Sequence, residues 1–412
     1  MDLTRRTLLT TGLAGVVMMP SRLTFAQAAK TIRVGVIADM SGVYSDIAGA
    51  GSLACTQQAA AEFMAQNPGI NVEVLVADHQ NKPDVGLSIV RRWFDEGGVD
   101  VIADVGNSAL CLASRPVLEE KNKASIISTA ASSLLTGKEC SPNVVHWTHD
   151  SWSIPHSTAT SPVRSGGDKW FFLTADYAYG HAAEADSTKF IEAAGGKVVG
   201  SVKFPLGTTG DFSSYLLRAQ SSGANVLGLI AGGADLVSAV KQSREFGIDS
   251  SGMRTAILSG FITDMIALGI PVAQGLVLTE TFYWDLNDRT RAFTNRVRPK
   301  MPKGAFPNMN HAGDYAGVLH YLKAVKELGV DKAKASGRDT VDMMKKLPTD
   351  DDAFGKGMIR VDGRKIHPAY LFQVKRPEEV KYDGDVFKLI STLSAEEAFR
   401  PLDQGGCPLV KA

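Results

Sequence analysis

Two stretches of this chain repeat one order of short apolar runs and helical-period runs, and that duplication limits the fold more than any other feature. The first stretch reads TIRVGVIAD, SLACTQQAAAEFMAQ, NVEVLVAD, DVGLSIVRRWFDEGG, VDVIADVG, SALCLASRPVLEEKN and ASIISTAA. The second reads WFFLTAD, AAEADSTKFIEAAG, GKVVGSVKF, DFSSYLLRAQSSG, ANVLGLIAGG, DLVSAVKQSREFG and TAILSG. Strands alternating with helices in this way predict an α/β fold built on largely parallel sheets. Asp39 and Asp176 close the first strands, Asp84 and Asp211 open the second helices, and Val101 and Val226 begin the third strands, at offsets of 137, 127 and 125 residues. Solenoids repeat every 20 to 50 residues or so, so a period this long, seen twice, predicts two similar Rossmann-like lobes.

The remaining segments predict three crossovers between the lobes. The link KECSPNVVHWTHDSWSIPHS is polar and Pro-containing, as a connection between domains should be. GLVLTETFYW begins a second crossing, because the helix GDYAGVLHYLKAVKELG finds nothing left to continue in the second lobe, and KGMIRVDGRKIHPAYLFQVK reads as a late hairpin making a third. Residues 29–148 and 283–358 are therefore assigned to lobe 1, residues 149–282 and 359–400 to lobe 2, and 401–412 to a C-terminal tail.

Residues 1–28 stand outside this pattern. Paired arginines at Arg5 and Arg6, an apolar stretch from Leu8 to Met19 and the small-x-small end Ala26-Gln27-Ala28 predict an export signal cleaved near Ala28. Thr4-Arg5-Arg6-Thr7-Leu8-Leu9 resembles the twin-arginine signal, although a leucine stands where phenylalanine is commonest and paired arginines also occur in Sec signals. No later segment reaches the length of a membrane span, so a soluble periplasmic protein is expected. Export makes disulfides permissible. Four cysteines allow three pairings; Cys55 and Cys111 sit in helical runs as small apolar residues, whereas Cys140 and Cys407 lie in Pro-flanked irregular segments and are expected to pair.

Lys and Arg number 44 against 44 Asp and Glu, with no basic cluster on one face, which argues against nucleic acid or a lipid surface and for a small partner. Motifs for catalysis fail on spacing. Gly49-Ala50-Gly51-Ser52-Leu53-Ala54 fits a dinucleotide fingerprint, yet it starts far beyond the strand end at Asp39, where the tight turn would have to be. Gly106-Asn107-Ser108-Ala109-Leu110 lacks the second glycine of a nucleophile elbow, and no ordered histidine and acid follow it. No zinc-type spacing is present, so neither a metal nor a cofactor is expected.

What survives is binding. In open α/β sheets ligands sit beyond the carboxyl ends of strands, beside helix N-termini that favour anions. Hydroxyls dominate those ends in the first lobe, at Tyr44, Ser108, Ser128 and Ser132, with the amide of Asn107 beside them and Ala130 and Ala131 between them. Aromatics mark the second lobe and the crossing strand, at Tyr179, Phe261, Tyr283 and Trp284, and Asp235 stands beside them as a carboxylate that could face a ligand.

TIRVGVIADMSGVYSDIAGAGSLACTQQAAAEF, VIADVGNSALCLASRPVLEEKNKASIISTAAS, WFFLTADYAYGHAAEADSTKFIEAAGGKVVG and AQGLVLTETFYWDLNDRTRAF, in this order, resemble the leucine/isoleucine/valine-binding family, the type I periplasmic receptors of ABC importers. The resemblance implies two lobes that close on one ligand and present it to a membrane permease. It implies a carboxylate-binding role for Ser108, a strand-end alanine and hydroxyl at Ala130 and Ser132, and a second-lobe tyrosine at Tyr179. The acid that holds the ligand ammonium in amino-acid-binding members is replaced here by Phe261. Ligand expectations therefore divide between an aromatic or other non-amino carboxylate, preferred, and a branched-chain amino acid. A monomer without enzymatic activity is expected; the rival readings are a twin-arginine-exported oxidoreductase and a ligand-sensing receptor component.

Overall fold

The runs VIAD, ASII and VLGLI are buried at every position. A strand can hide both faces only inside a sheet covered by helices on both sides. The computed structural model, which describes residues 30–207 and 210–411, places them there. The predicted export signal lies outside the described residues.

The first sheet holds β1 (Lys30–Ala38), β2 (Ile70–Asp78), β3 (Val101–Asp104), β4 (Ala124–Ile127) and β5 (Val144–His146) in the order β2-β1-β3-β4-β5, all parallel. Helices α1 (Gly49–Gln66), α2 (Pro83–Asp95) and α3 (Ser108–Glu120) connect them. After the linking helices α4 (Ser153–Thr158) and α5 (Thr160–Arg164) comes the second sheet. Its strands β6 (Lys169–Ala175), β7 (Lys197–Phe204), β8 (Val226–Ile230), β9 (Arg254–Ile257) and β10 (Val277–Glu280) run β7-β6-β8-β9-β10, again parallel. Helices α6 (Ala178–Ala193), α7 (Ser213–Ser221), α8 (Gly233–Glu245), α9 (Ile262–Leu268) and α10 (Ile270–Ala273) lie between them. The two sheets share one strand order, which is the structural form of the duplication.

Beyond β10 the chain returns to the first lobe as α11 (Asp288–Val297), α12 (Met309–Leu328), α13 (Val330–Ala335) and α14 (Gly337–Lys346). Ala312, Tyr315, Ala316 and Val318 of α12 share a core with Ile32 and Val34 of β1 and with Ala59 and Phe63 of α1. The late hairpin is smaller than the sequence predicts. It consists of β11 (Met358–Ile359) and β12 (Lys365–Ile366), and Arg364 bridges to His146 at the edge of the first sheet. Ile359 also lies in the first core, so the return to lobe 2 comes after residue 359. Pro368, which has no N–H to give to a ladder, separates β12 from β13 (Ala369–Val374). β13 then pairs antiparallel with β10 and with the edge strand β14 (Phe387–Leu393).

The tail crosses back once more. Arg400 donates to the Ser133 carbonyl at 2.8 Å, its own carbonyl accepts from Arg360, and Cys407 is disulfide-bonded to Cys140 of the first lobe. Cys55 and Cys111 are free and buried.

Candidate functional site

Local sequence explains how aromatic hydroxyls reach the gap between the lobes. Asp39 ends β1 with its carboxylate turned back on the following loop, accepting the N–H of Gly42 at 2.7 Å and of Tyr44 at 3.0 Å, which fixes Tyr44 toward the second lobe. In the equivalent place of lobe 2, Tyr177 is extended and caps α6, and the chain turns at once into helix. Gly180 permits this, because a Cβ there would lie 1.9 Å from the Ala175 carbonyl oxygen. The hydroxyls of Tyr44 and Tyr177 meet at 2.6 Å and join the two lobes.

Around that contact is a cavity of about 20 Å³, room for a single water. Its first-lobe wall is Tyr44, Ile47, Gly106, Ser108, Thr129, Ala130 and Ala131; its second-lobe wall is Tyr177, Tyr179, Ser259 and Phe261; and His149 of the first crossover completes it. Helices α3, α6 and α9 all begin here, so three helix N-termini with their positive dipole ends converge on the space. Among the described residues no carboxylate, ammonium or guanidinium lines it. Burial pushes the His149 imidazole down to about 3 and the Tyr179 hydroxyl up to about 12, so both are neutral hydrogen-bonding groups. The ring of His149 meets Phe261 edge-on at 5.5 Å. Such a surface offers hydroxyls, helix-start amides and aromatic planes, a set suited to an anionic head on an apolar body.

Six of the twelve expected ligand residues meet at the cavity: Tyr44, Ser108, Ala130, Ala131, Tyr179 and Phe261. Ser108 also holds its own wall, its hydroxyl accepting the N–H groups of Ala131 and Ser132. Tyr179 donates to the Leu258 carbonyl at 3.2 Å.

The other six have different duties. Asn107 caps α3, accepting from the N–H of Ala109 and Leu110, while its amide donates to Asn81. Ser132 caps the short turn Ser133–Thr136. Ser128 lies fully buried beneath the floor, outside the lining. Asp235 accepts the Gly207 N–H at 2.8 Å behind the second-lobe wall, and burial raises its pKa, which makes it a poor partner for a ligand cation. Tyr283 and Trp284 both donate to the Gly384 carbonyl; Tyr283 packs between Phe372 and Phe387, and Trp284 stacks on Phe306 at 4.6 Å. They consolidate the second crossover, because the chain has already left the strand end by Thr281.

Sequence reading missed Ile47, Gly106, Thr129, His149, Tyr177 and Ser259 as lining. Gly106 and Thr129 adjoin expected residues, and Ser259 and Tyr177 stand two places before Phe261 and Tyr179, so strand-end position could have found them. Nothing local distinguishes His149 from the other polar crossover residues.

A family model for periplasmic binding proteins matches residues 31–380. The chain belongs to that family. A periplasmic binding protein of Burkholderia mallei is 41% identical, with a TM-score of 0.88 over 93% of this chain and all of that one. A branched-chain amino acid ABC transporter periplasmic ligand-binding protein of Burkholderia xenovorans is 38% identical, with a TM-score of 0.79 over 92% of this chain and 99% of that one. A solute-binding protein of an ABC transporter from Rhodopseudomonas palustris, solved with 4-hydroxybenzoate, shares the fold at 23% identity, with a TM-score of 0.79 over 89% of this chain and 97% of that one. Periplasmic binding proteins of this group are substrate-binding components of ABC transporters, not enzymes. No helix among the described residues is long and apolar enough to cross a membrane.

Proposed function

We propose that this periplasmic binding protein takes a small carboxylate with an aromatic or other non-amino body into the interlobe cavity, in preference to leucine, isoleucine or valine, and delivers it from the periplasm to an ABC importer permease. The observation that carries the reading is the lining without an acid. A buried ammonium left unpaired would cost several kcal/mol, whereas a carboxylate at the N-terminus of α3, beside Ser108, meets the positive end of the helix dipole and a hydroxyl. Tyr177, Tyr179 and Phe261 then flank its body. The benzoate-type ligand of the Rhodopseudomonas protein supports the same class, as an analogy of fold.

A cavity of about 20 Å³ admits no such ligand, so the lobes must part first. Ligand then favours a closed form in which both walls touch it, a population shift with no bond made or broken. A thermal-shift screen of benzoates and hydroxylated cinnamates against branched-chain amino acids checks the preference. Stabilisation by an aromatic or other non-amino acid is expected; stabilisation by leucine or valine alone would overturn the ligand class and leave the receptor reading standing.

A further inference from the structure

Beneath the first-lobe floor, where α1, the end of β3, the loop after β4 and α12 come together, lie two fully buried carboxylates, Asp104 and Asp314. Among the described residues all four of their oxygens lack a hydrogen-bond partner, and so do the buried hydroxyls of Ser52, Ser128 and Thr129. Ser52 and Thr129 face Asp104, and Ser52 and Ser128 face Asp314, without closing bonds of ordinary geometry. The neighbours among the described residues supply no positive charge. Asp39 spends its oxygens on the N–H groups of Gly42 and Tyr44, His79 has both ring nitrogens unpartnered and is held neutral by burial, and Cys55 and Cys111 are buried thiols.

Two uncompensated carboxylates in a dry interior demand either protons or a cation. The hydroxyls decide between them. Hydroxyls that only donated to protonated or charged acids would close hydrogen bonds with them, yet among the described residues the seven oxygens face one another with no such bond. We propose that Asp104, Asp314, Ser52, Ser128 and Thr129 hold one hard divalent cation, calcium. An all-oxygen set excludes metals that want nitrogen or sulfur. Two carboxylates balance a double charge, and calcium accepts about 6–8 oxygen ligands, whereas magnesium retains waters for which a dry site has little room. Such an ion would tie α1, β3 and α12 to the loop that carries Thr129 into the ligand cavity.

The test uses the full-length mature protein, stripped by a chelator and retitrated with calcium, magnesium or sodium at matched ionic strength. Expected are one calcium per chain by elemental analysis, a melting temperature several degrees higher with calcium than without, and loss of both in Asp314→Asn. Should that variant not fold, Ser52→Ala serves instead and should weaken the calcium midpoint about tenfold in the melting titration. Wild-type protein that carries no calcium and melts identically with and without it overturns the proposal. So does an Asp104→Asn variant that is more stable than wild type in chelator and unresponsive to calcium only because the wild type is unresponsive too, the signature of a shared proton. The readout is melting and metal content, so it stands apart from the identity of the transported ligand.

Discussion

Tyr44 and Tyr177 come from opposite lobes, and the bond between their hydroxyls is the polar contact a ligand must work around. Tyr44→Phe removes it and leaves the Tyr177 hydroxyl to find water, so the ligand-free protein should favour the open form by about 1 kcal/mol. Small-angle scattering of the ligand-free variant should give a larger radius of gyration than wild type. A second consequence at this scale concerns acid. Burial pushes His311 and His320 down to about 4, each bonded as a neutral ring, to the carbonyls of Ala48 and Met344 respectively. Between the ordinary histidine value near 6.5 and about 4, the unfolded chain binds protons that the folded chain refuses, so these residues lower stability as pH falls through that window. Asp264 acts in the opposite sense: burial raises it to about 7, so its contribution is fullest below the ordinary aspartate value and is lost as pH rises toward 7. His320→Gln isolates the first effect, and its loss of stability from pH 7 to pH 5 in urea titrations should be smaller than wild type by about 1–2 kcal/mol. The residue types were legible in the sequence wherever position in the strand-helix unit sufficed, as at Ser108 and Tyr179. Asn107 and Ser132 stand off the cavity wall as caps, since a helix cap and a ligand contact demand the same short polar side chain at the same place.

Among the elements, the seam that closes the cavity is the β1–α1 loop against the start of α8. The N–H of Ala234 donates to the Val43 carbonyl at 3.1 Å, and Gly233, at φ +58°, sits so close that a Cβ would lie 2.1 Å from that oxygen. Gly233→Ala should therefore fold with a modest loss of stability from its left-handed backbone, and yet bind ligand at least tenfold more weakly because the lobes cannot seat. Calorimetric titration with the best acid from the screen, beside an unfolding curve, separates the two effects. Most elements were readable because buried parallel strands are continuous apolar runs. β14 was not read, since its FKLISTL is exposed at nearly every position and carries no alternation to betray a face. The end of the hairpin differs from the sequence reading for a related reason: only His367 and Pro368 part β12 from β13, and it takes tertiary contacts, the bridge from Arg364 to His146 and the place of Ile359 in the first core, to tell the two strands apart.

For the molecule as a whole, the duplicated order of strands placed two binding edges face to face, and that much followed from the sequence alone. Which residues of those edges meet depends on how the lobes rotate about their links, a property no single segment encodes; hence Tyr283 and Trp284, plausible on a strand, became part of the crossover. The links themselves are more numerous than the three crossings of the main fold. The disulfide between Cys140 and Cys407 spans 267 residues and fastens a tail that has come from β14 of the second lobe. Its removal in Cys407→Ser should lower stability by about 2–5 kcal/mol, read from the thermal or urea midpoint of the oxidised wild type against the variant. Mechanically, this makes the chain a closed loop around its own hinge. A door hung on three straps swings on those three alone; here a fourth is sewn at both ends, so any parting of the lobes has four covalent connections to accommodate.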